Sequence, residues 1–159
     1  MATDSKASQP GFATQTFSYQ TPELGPRRIN MIMARTDQVK AAVQVFDRVN
    51  GAEILHSHKG VDTFWLVLKG RVRFHGPADL VYGEFGPMEG IVTTRGLRYF
   101  FECVSDEPVE MLQVAAFDPR VASSKNSEGA VELLAPTPPQ YFERDDRDIF
   151  VEKRYTYGS

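Results

Sequence analysis

The chain has 159 residues, 42% of them hydrophobic and 25% charged, the balance that one soluble domain needs to bury a single core. A formal net charge of -3 and a pI near 5.6, with Lys and Arg scattered among acidic residues, exclude the electrostatic footprint of a nucleic-acid binder. The one cysteine, Cys103, has no internal partner and no metal-finger spacing, so a reducing compartment, the cytoplasm, is expected.

The opening stretch "MATDSKASQPGFATQTFSYQ" lacks the apolar segment of a signal peptide, and nowhere does the chain approach the roughly 18 apolar residues of a membrane span. No membrane partner is expected. Residues 1 to about 11, rich in small and polar types, read as a loose arm, and residues 1–27 as an N-terminal extension. From 28 to 118 the punctuation is that of strands, short β-branched and aromatic runs separated by Gly, Pro, Asp or Asn about every ten residues. The runs "INMIMART", "KAAVQVFDRV", "AEILHSH", "TFWLVLKG", "RVRFHG", "GIVTTR", "LRYFFECV" and "VEMLQVAAF" all have strand length. Short antiparallel strands in one small domain predict an all-β sandwich or jelly-roll barrel, which folds one sheet over another and so limits exposed edges. Residues 119–159 read as a C-terminal extension, with "RVASSKNSEG" a loop and "APTPPQYFERDD" an extended Pro-rich segment on the surface.

Strand alternation places Ile54, His56 and His58 on one face and Glu53, Leu55 and Ser57 on the other. If the first face is the interior, two imidazoles sit together in a mostly apolar cavity. A divalent ion such as Zn, Fe, Mn, Ni or Cu can use that arrangement.

The residues Gly51, His56, His58, Thr63 and Gly70, in the spacing G-x4-H-x-H-x4-T-x6-G, resemble the first motif of the cupin family. The family's usual form is a Gly, then His-x-His, a Glu about four residues on and a Gly after six more. The likeness extends over roughly residues 28 to 118, and "GEFGPMEGIVTTRGLRYFFEC" echoes the second motif, with Gly83 opening it and Gly96 in its turn. The resemblance implies a double-stranded β-helix. It also implies Thr63 where the family's metal-binding Glu stands and Tyr99 where its third His stands. Asp62 and Glu102 are carboxylates one position away, which alternation turns outward unless a bulge intervenes.

Three uses of the pair follow. His56 and His58 hold a divalent metal (Fe, Mn, Ni or Zn), with Tyr99 as third ligand or proton donor, for lyase, isomerase or oxygenase chemistry on a small organic substrate. Without metal, one His is a general base and Tyr99 its acid, as the resemblance to cupin-like epimerases and isomerases implies. In the third, the barrel binds a small molecule without turning it over.

Trp65 shares the alternation phase of Thr63, and Phe101 that of Tyr99, so these four are expected to meet substrate in an aromatic cavity. Arg95 and Arg98 flank Gly96 and are placed to hold a carboxylate, Arg98 being the assigned substrate contact. His75 is expected near solvent at a strand end, Arg71 and Arg73 on a solvated face, and Cys103 as a buried, inert thiol. The apolar runs "INMIMA" and "VQVF" call for cover, and a homodimer is expected to supply it.

Overall fold

A computed structural model describes residues 14–51, 53–118, 124–125, 131–132 and 139–147. The loose arm expected for residues 1 to about 11 lies outside the described residues. The strands are β1 (Ile29–Arg35), β2 (Val39–Phe46), β3 (His56–Ser57), β4 (Val61–Lys69), β5 (Val72–His75), β6 (Val81–Phe85), β7 (Gly90–Thr93), β8 (Phe100–Cys103), β9 (Val109–Phe117), β10 (Ser124–Lys125), β11 (Val131–Glu132) and β12 (Gln140–Tyr141).

One sheet runs β1-β2-β9-β4-β7, and a second contains β6-β5-β8. The pair β12-β3 extends the second layer through an antiparallel bridge between His56 and Tyr99, the residue just before β8. Two backbone hydrogen bonds close it, His56 N–H to Tyr99 O at 3.0 Å and Tyr99 N–H to His56 O at 2.9 Å. Every pairing between these strands is antiparallel, and β4 hydrogen-bonds to β9 and β7 rather than to its sequence neighbours β3 and β5. The result is the all-β jelly roll the punctuation predicts. Among the described residues no helix is long and apolar enough to cross a membrane.

The period-two pattern of β4 shows why these residues form a strand between layers. Val61, Thr63, Trp65 and Val67 are buried, whereas Phe64 between them is about half exposed. Facing them from the other layer are Phe74, Tyr99, Phe101 and Cys103, which with Phe46, Val109 and Met111 complete the core. Each fully buried aromatic or branched side chain of this kind contributes roughly 1.5–3 kcal/mol. Gly70 closes β4 at φ +79°, and a Cβ there would lie 2.7 Å from the Pro108 carbonyl oxygen. Only glycine fits that turn.

Three local expectations need correction, and a fourth observation bears on the cover of the outer sheet. Strand β6 falls on "VYGEF", where Gly83 and half-exposed Val81 mask the alternation. In "AEILHSH" only His56 and Ser57 join a ladder, so the alternation assumed for residues 53–55 does not operate. The Pro-rich segment is not merely surface: Tyr141 pairs with His56, and Phe142 is buried against Leu55 and Phe100. Finally, part of the outer face of β1 and β2 is covered by the chain itself, since Tyr19 and Leu24 pack on Met33, Val43 and Val45.

Candidate functional site

Between the layers lies a cavity of about 160 Å³. Its floor is Trp65 from β4 with Tyr99 and Phe101 from the facing layer, and His56 and His58 project beside them. The His56 and His58 rings are 5.1 Å apart at nearly right angles, and the Tyr99 ring lies 4.5 Å from His56 and 6.4 Å from His58. The Trp65 indole N–H donates to Thr93 Oγ1 at 2.9 Å, which fixes the tilt of the floor.

His56 Nδ1–H donates to the Ile54 carbonyl at 2.7 Å, so the lone pair of that ring sits on Nε2. Burial lowers His56 to a pKa of about 4, and the Arg28 guanidinium adds to the effect. Burial also takes His58 to about 4, with His56 and the Lys40 ammonium pressing the same way and Glu53 opposing. Both imidazoles are therefore neutral at physiological pH. His58 Nδ1 is buried and has no hydrogen-bond partner among the described residues.

The remaining lining is polar and comes from the five-stranded sheet and the segment before β3. Lys40, Gln44 and Gln113 project inward from β2 and β9, with Arg28 and Asn30 at the start of β1 and Glu53 across from them. Arg28 Nη1 binds Glu53 Oε1 at 2.7 Å with both side chains largely buried. Desolvation raises the Glu53 pKa, and the Arg28 charge limits the rise. The Phe101 backbone N–H also favours the carboxylate, and Oε2 has no hydrogen-bond partner among the described residues.

Of the residues singled out from sequence, the fold brings His56, His58, Tyr99, Trp65 and Phe101 to one cavity. Thr63 does not line it; the side chain is buried deeper along β4, beside Thr93. Arg98 also lies elsewhere. Its guanidinium stacks over Phe142 at 3.9 Å and pairs with Asp146, so it fastens the C-terminal segment rather than facing the cavity. Arg95 pairs with Asp118 and Asp62, and Arg71 and Arg73 share Glu84 on the outer face. His75 is buried, stacked on Phe100 and bonded through Nε2 to Glu102 at 2.6 Å, contrary to its expected place near solvent. Glu53, Arg28 and Lys40 were missed, although Lys40 and Gln44 fall in phase with Ala42 and Phe46 and so carry a legible inward signal.

No family model matches the sequence, and no curated protein matches it. Solved structures do resemble the fold. A double-stranded β-helix protein from Klebsiella pneumoniae superposes with a TM-score of 0.53 at 19% identity, covering 73% of this chain and 85% of that one. An RmlC-like cupin family protein from Methanocaldococcus jannaschii gives 0.55 at 11% identity, covering 69% and 96%. The Cnp3 cupin domain of Schizosaccharomyces pombe gives 0.55 at 16% identity, covering 71% and 78%. The chain has the cupin fold.

Resemblance to the cupin family implies a divalent metal, and the donor set of this chain can be tested for one. The His56 tautomer, held by a backbone carbonyl, is the kind that metal ligands use. Against it, among the described residues no three His, Cys, Asp or Glu side chains are grouped to hold an ion. The lining's one carboxylate, Glu53, is already bound by Arg28, and Lys40 adds a second positive charge. The residues present do not fit a resident divalent ion.

Proposed function

We propose that this cupin binds a small polar organic molecule between the two sheets and moves a proton on it, in isomerase or lyase chemistry, with His58 as base and Tyr99 as proton partner. The observation that carries the reading is the buried, unpartnered Nδ1 of His58 in a cavity walled by Trp65, Tyr99 and Phe101. A buried polar atom without a partner is costly, and a ligand that bonds to it recovers that cost. An imidazole with a pKa of about 4 is a weak base in the empty cavity. An anionic substrate beside it would favour the imidazolium and strengthen it as a base in the complex.

That low pKa also favours a second reading, a ligand-binding protein without turnover. A metal-dependent version would rely on Tyr99 as the third ligand beside His56 and His58. The test is C–H exchange in D2O, followed by NMR across small hydroxy and keto compounds. Proton transfer predicts wash-in of deuterium by the parent, reduced at least about 100-fold by His58→Gln. Binding that perturbs the His58 imidazole signals without exchange in any compound would leave the binding reading.

A further inference from the structure

The hydrogen-bonding inventory of the cavity is lopsided. Among the described residues, Asn30 Oδ1, Gln44 Oε1 and Glu53 Oε2 are buried without a hydrogen-bond partner, and all three residues line the space beside His56 and His58. Gln44 Nε2 donates to Gln113 Oε1 at 2.9 Å, which orients the amide and leaves Oε1 as the unmet acceptor. Gln44 is only 6% exposed and the Glu53 side chain 7%, so water outside the barrel does not serve them. Three buried oxygens on the lining residues call for hydrogen-bond donors.

The charge of the lining selects among donors. Arg28 is engaged by Glu53, whereas Lys40, half-buried in the same lining, has no ion-pair partner among the described residues. Among the described residues, two cations and one carboxylate leave the lining at +1 with both imidazoles neutral, although burial and then Arg35 lower the Lys40 pKa. Protonation of Glu53 would make it more positive still. An amine satisfies the oxygens but is repelled; a plain carboxylate satisfies Lys40 but leaves the oxygens unmet; a polyol does the reverse. Size sets the last limit, because a cavity of about 150 Å³ holds a molecule the size of benzene and this one measures about 160 Å³.

We infer that the cavity takes a small aliphatic hydroxy acid, on the order of six to ten non-hydrogen atoms, with its carboxylate at Lys40 and its hydroxyls donating to Asn30, Gln44 and Glu53. The inference rests on the cavity being the ligand site and adds the chemical class of the ligand.

Four four-carbon or three-carbon probes separate the terms: threonate, butyrate, erythritol and 1-amino-2,3-propanediol. Binding is read by calorimetry on the full chain and located by shifts of the His56 and His58 imidazole nitrogens. Threonate is expected to bind at least about tenfold more tightly than the other three, a gap of about 1.4 kcal/mol. Lys40→Gln is expected to remove that preference, and Lys40→Arg, which keeps the charge, to retain most of it. Gln44→Leu provides an independent loss should Lys40→Gln fold poorly. Stronger binding of the amine, or of butyrate or erythritol at the same imidazoles, overturns the hydroxy-acid assignment and leaves the ligand site standing. Equal threonate affinity in folded Lys40→Gln and in the parent also overturns it. Absence of any imidazole shift with all four probes overturns the assignment and removes support from the site itself.

Discussion

Arg28 and Glu53 meet at 2.7 Å inside the barrel although neither belongs to a ladder that faces the other. The guanidinium also lies 5.5 Å from the Phe46 ring centroid and 5.4 Å from that of Phe101, so it joins the ion pair to the aromatic core. Removing one partner of a buried pair leaves the other charge uncompensated. Arg28→Met is therefore expected to cost roughly 3–5 kcal/mol at neutral pH by chemical denaturation. The cost should shrink toward pH 5, because without Arg28 the Glu53 pKa rises further and the folded state takes up a proton the unfolded state does not yet hold. Arg28→Met combined with Glu53→Leu should recover most of the loss. Equal loss in the single and double variants would show that Arg28 acts through packing alone.

His56 and His58 make stability depend on pH in a defined window. Burial puts their folded pKa values, about 4, below the ordinary imidazole value of 6.5, so between these limits the unfolded state binds more protons. Stability is then full above about pH 6.5 and falls as the pH drops toward 4, by on the order of 3 kcal/mol for each group over the whole interval. Arg28 and Lys40 hold the pair down, and Glu53 opposes them at His58. Glu53, whose own pKa is raised by burial, contributes the opposite slope, and Glu53→Gln removes that contribution and leaves the histidine effect. Denaturation curves at pH 7.5, 6.5, 5.8 and 5.2 should show the decline, and His58→Asn should flatten its share. A constant midpoint over that range would contradict the burial argument.

Much of the barrel was legible because burial on one face writes itself as alternation. "VDTFWLVLK" is half core and half surface at period two, and Trp65, Tyr99 and Phe101 were placed correctly in one cavity on that basis. The pair at 56 and 58 carries a motif whose spacing survives even where Thr63 and Tyr99 replace the family's ligands. What stayed hidden depends on where alternation stops. Glu53 was assigned to the outside by extrapolating a strand three residues beyond the bridge at His56, yet its carboxylate lines the cavity. Arg98 was read by proximity to the Gly96 turn, and its real partners, Phe142 and Asp146, lie more than forty residues away in sequence. Local pattern carries no information about such a return of the chain.

The indole of Trp65 and the hydroxyl of Thr93 form a diagonal cross-strand hydrogen bond, buried and 2.9 Å long, with Thr93 in registry with Thr63 and Trp65 with Ile91. Thr93→Val keeps the shape but leaves the indole N–H buried with no acceptor, so a loss of roughly 1–3 kcal/mol is expected. Trp65→Phe removes the donor, and adding Thr93→Val to it should cost much less than Thr93→Val costs the parent. A double-mutant cycle on thermal or chemical unfolding measures the coupling. Additive losses would mean that the bond contributes nothing beyond packing.

Metal content provides the sharpest check on the electrostatic account of the cavity. A divalent ion held by two imidazoles would sit in a lining that already carries Arg28 and Lys40 against a single, engaged carboxylate, with no third His, Cys, Asp or Glu grouped with the pair among the described residues. Catalytic zinc sites commonly use three protein ligands, and loss of one weakens retention through purification. Untagged protein expressed with added Fe, Mn, Ni and Zn is thus expected to contain well under one ion per chain by elemental analysis. Lys40→Gln should lower the repulsion and Glu53→Gln should increase it, so any residual metal should rise in the first variant and fall in the second. Near-stoichiometric metal in the parent that vanishes in the His56→Ala, His58→Ala double variant would reverse the reading: the positive lining would then serve to hold an anionic substrate against a metal, and His58 would be a ligand rather than a base.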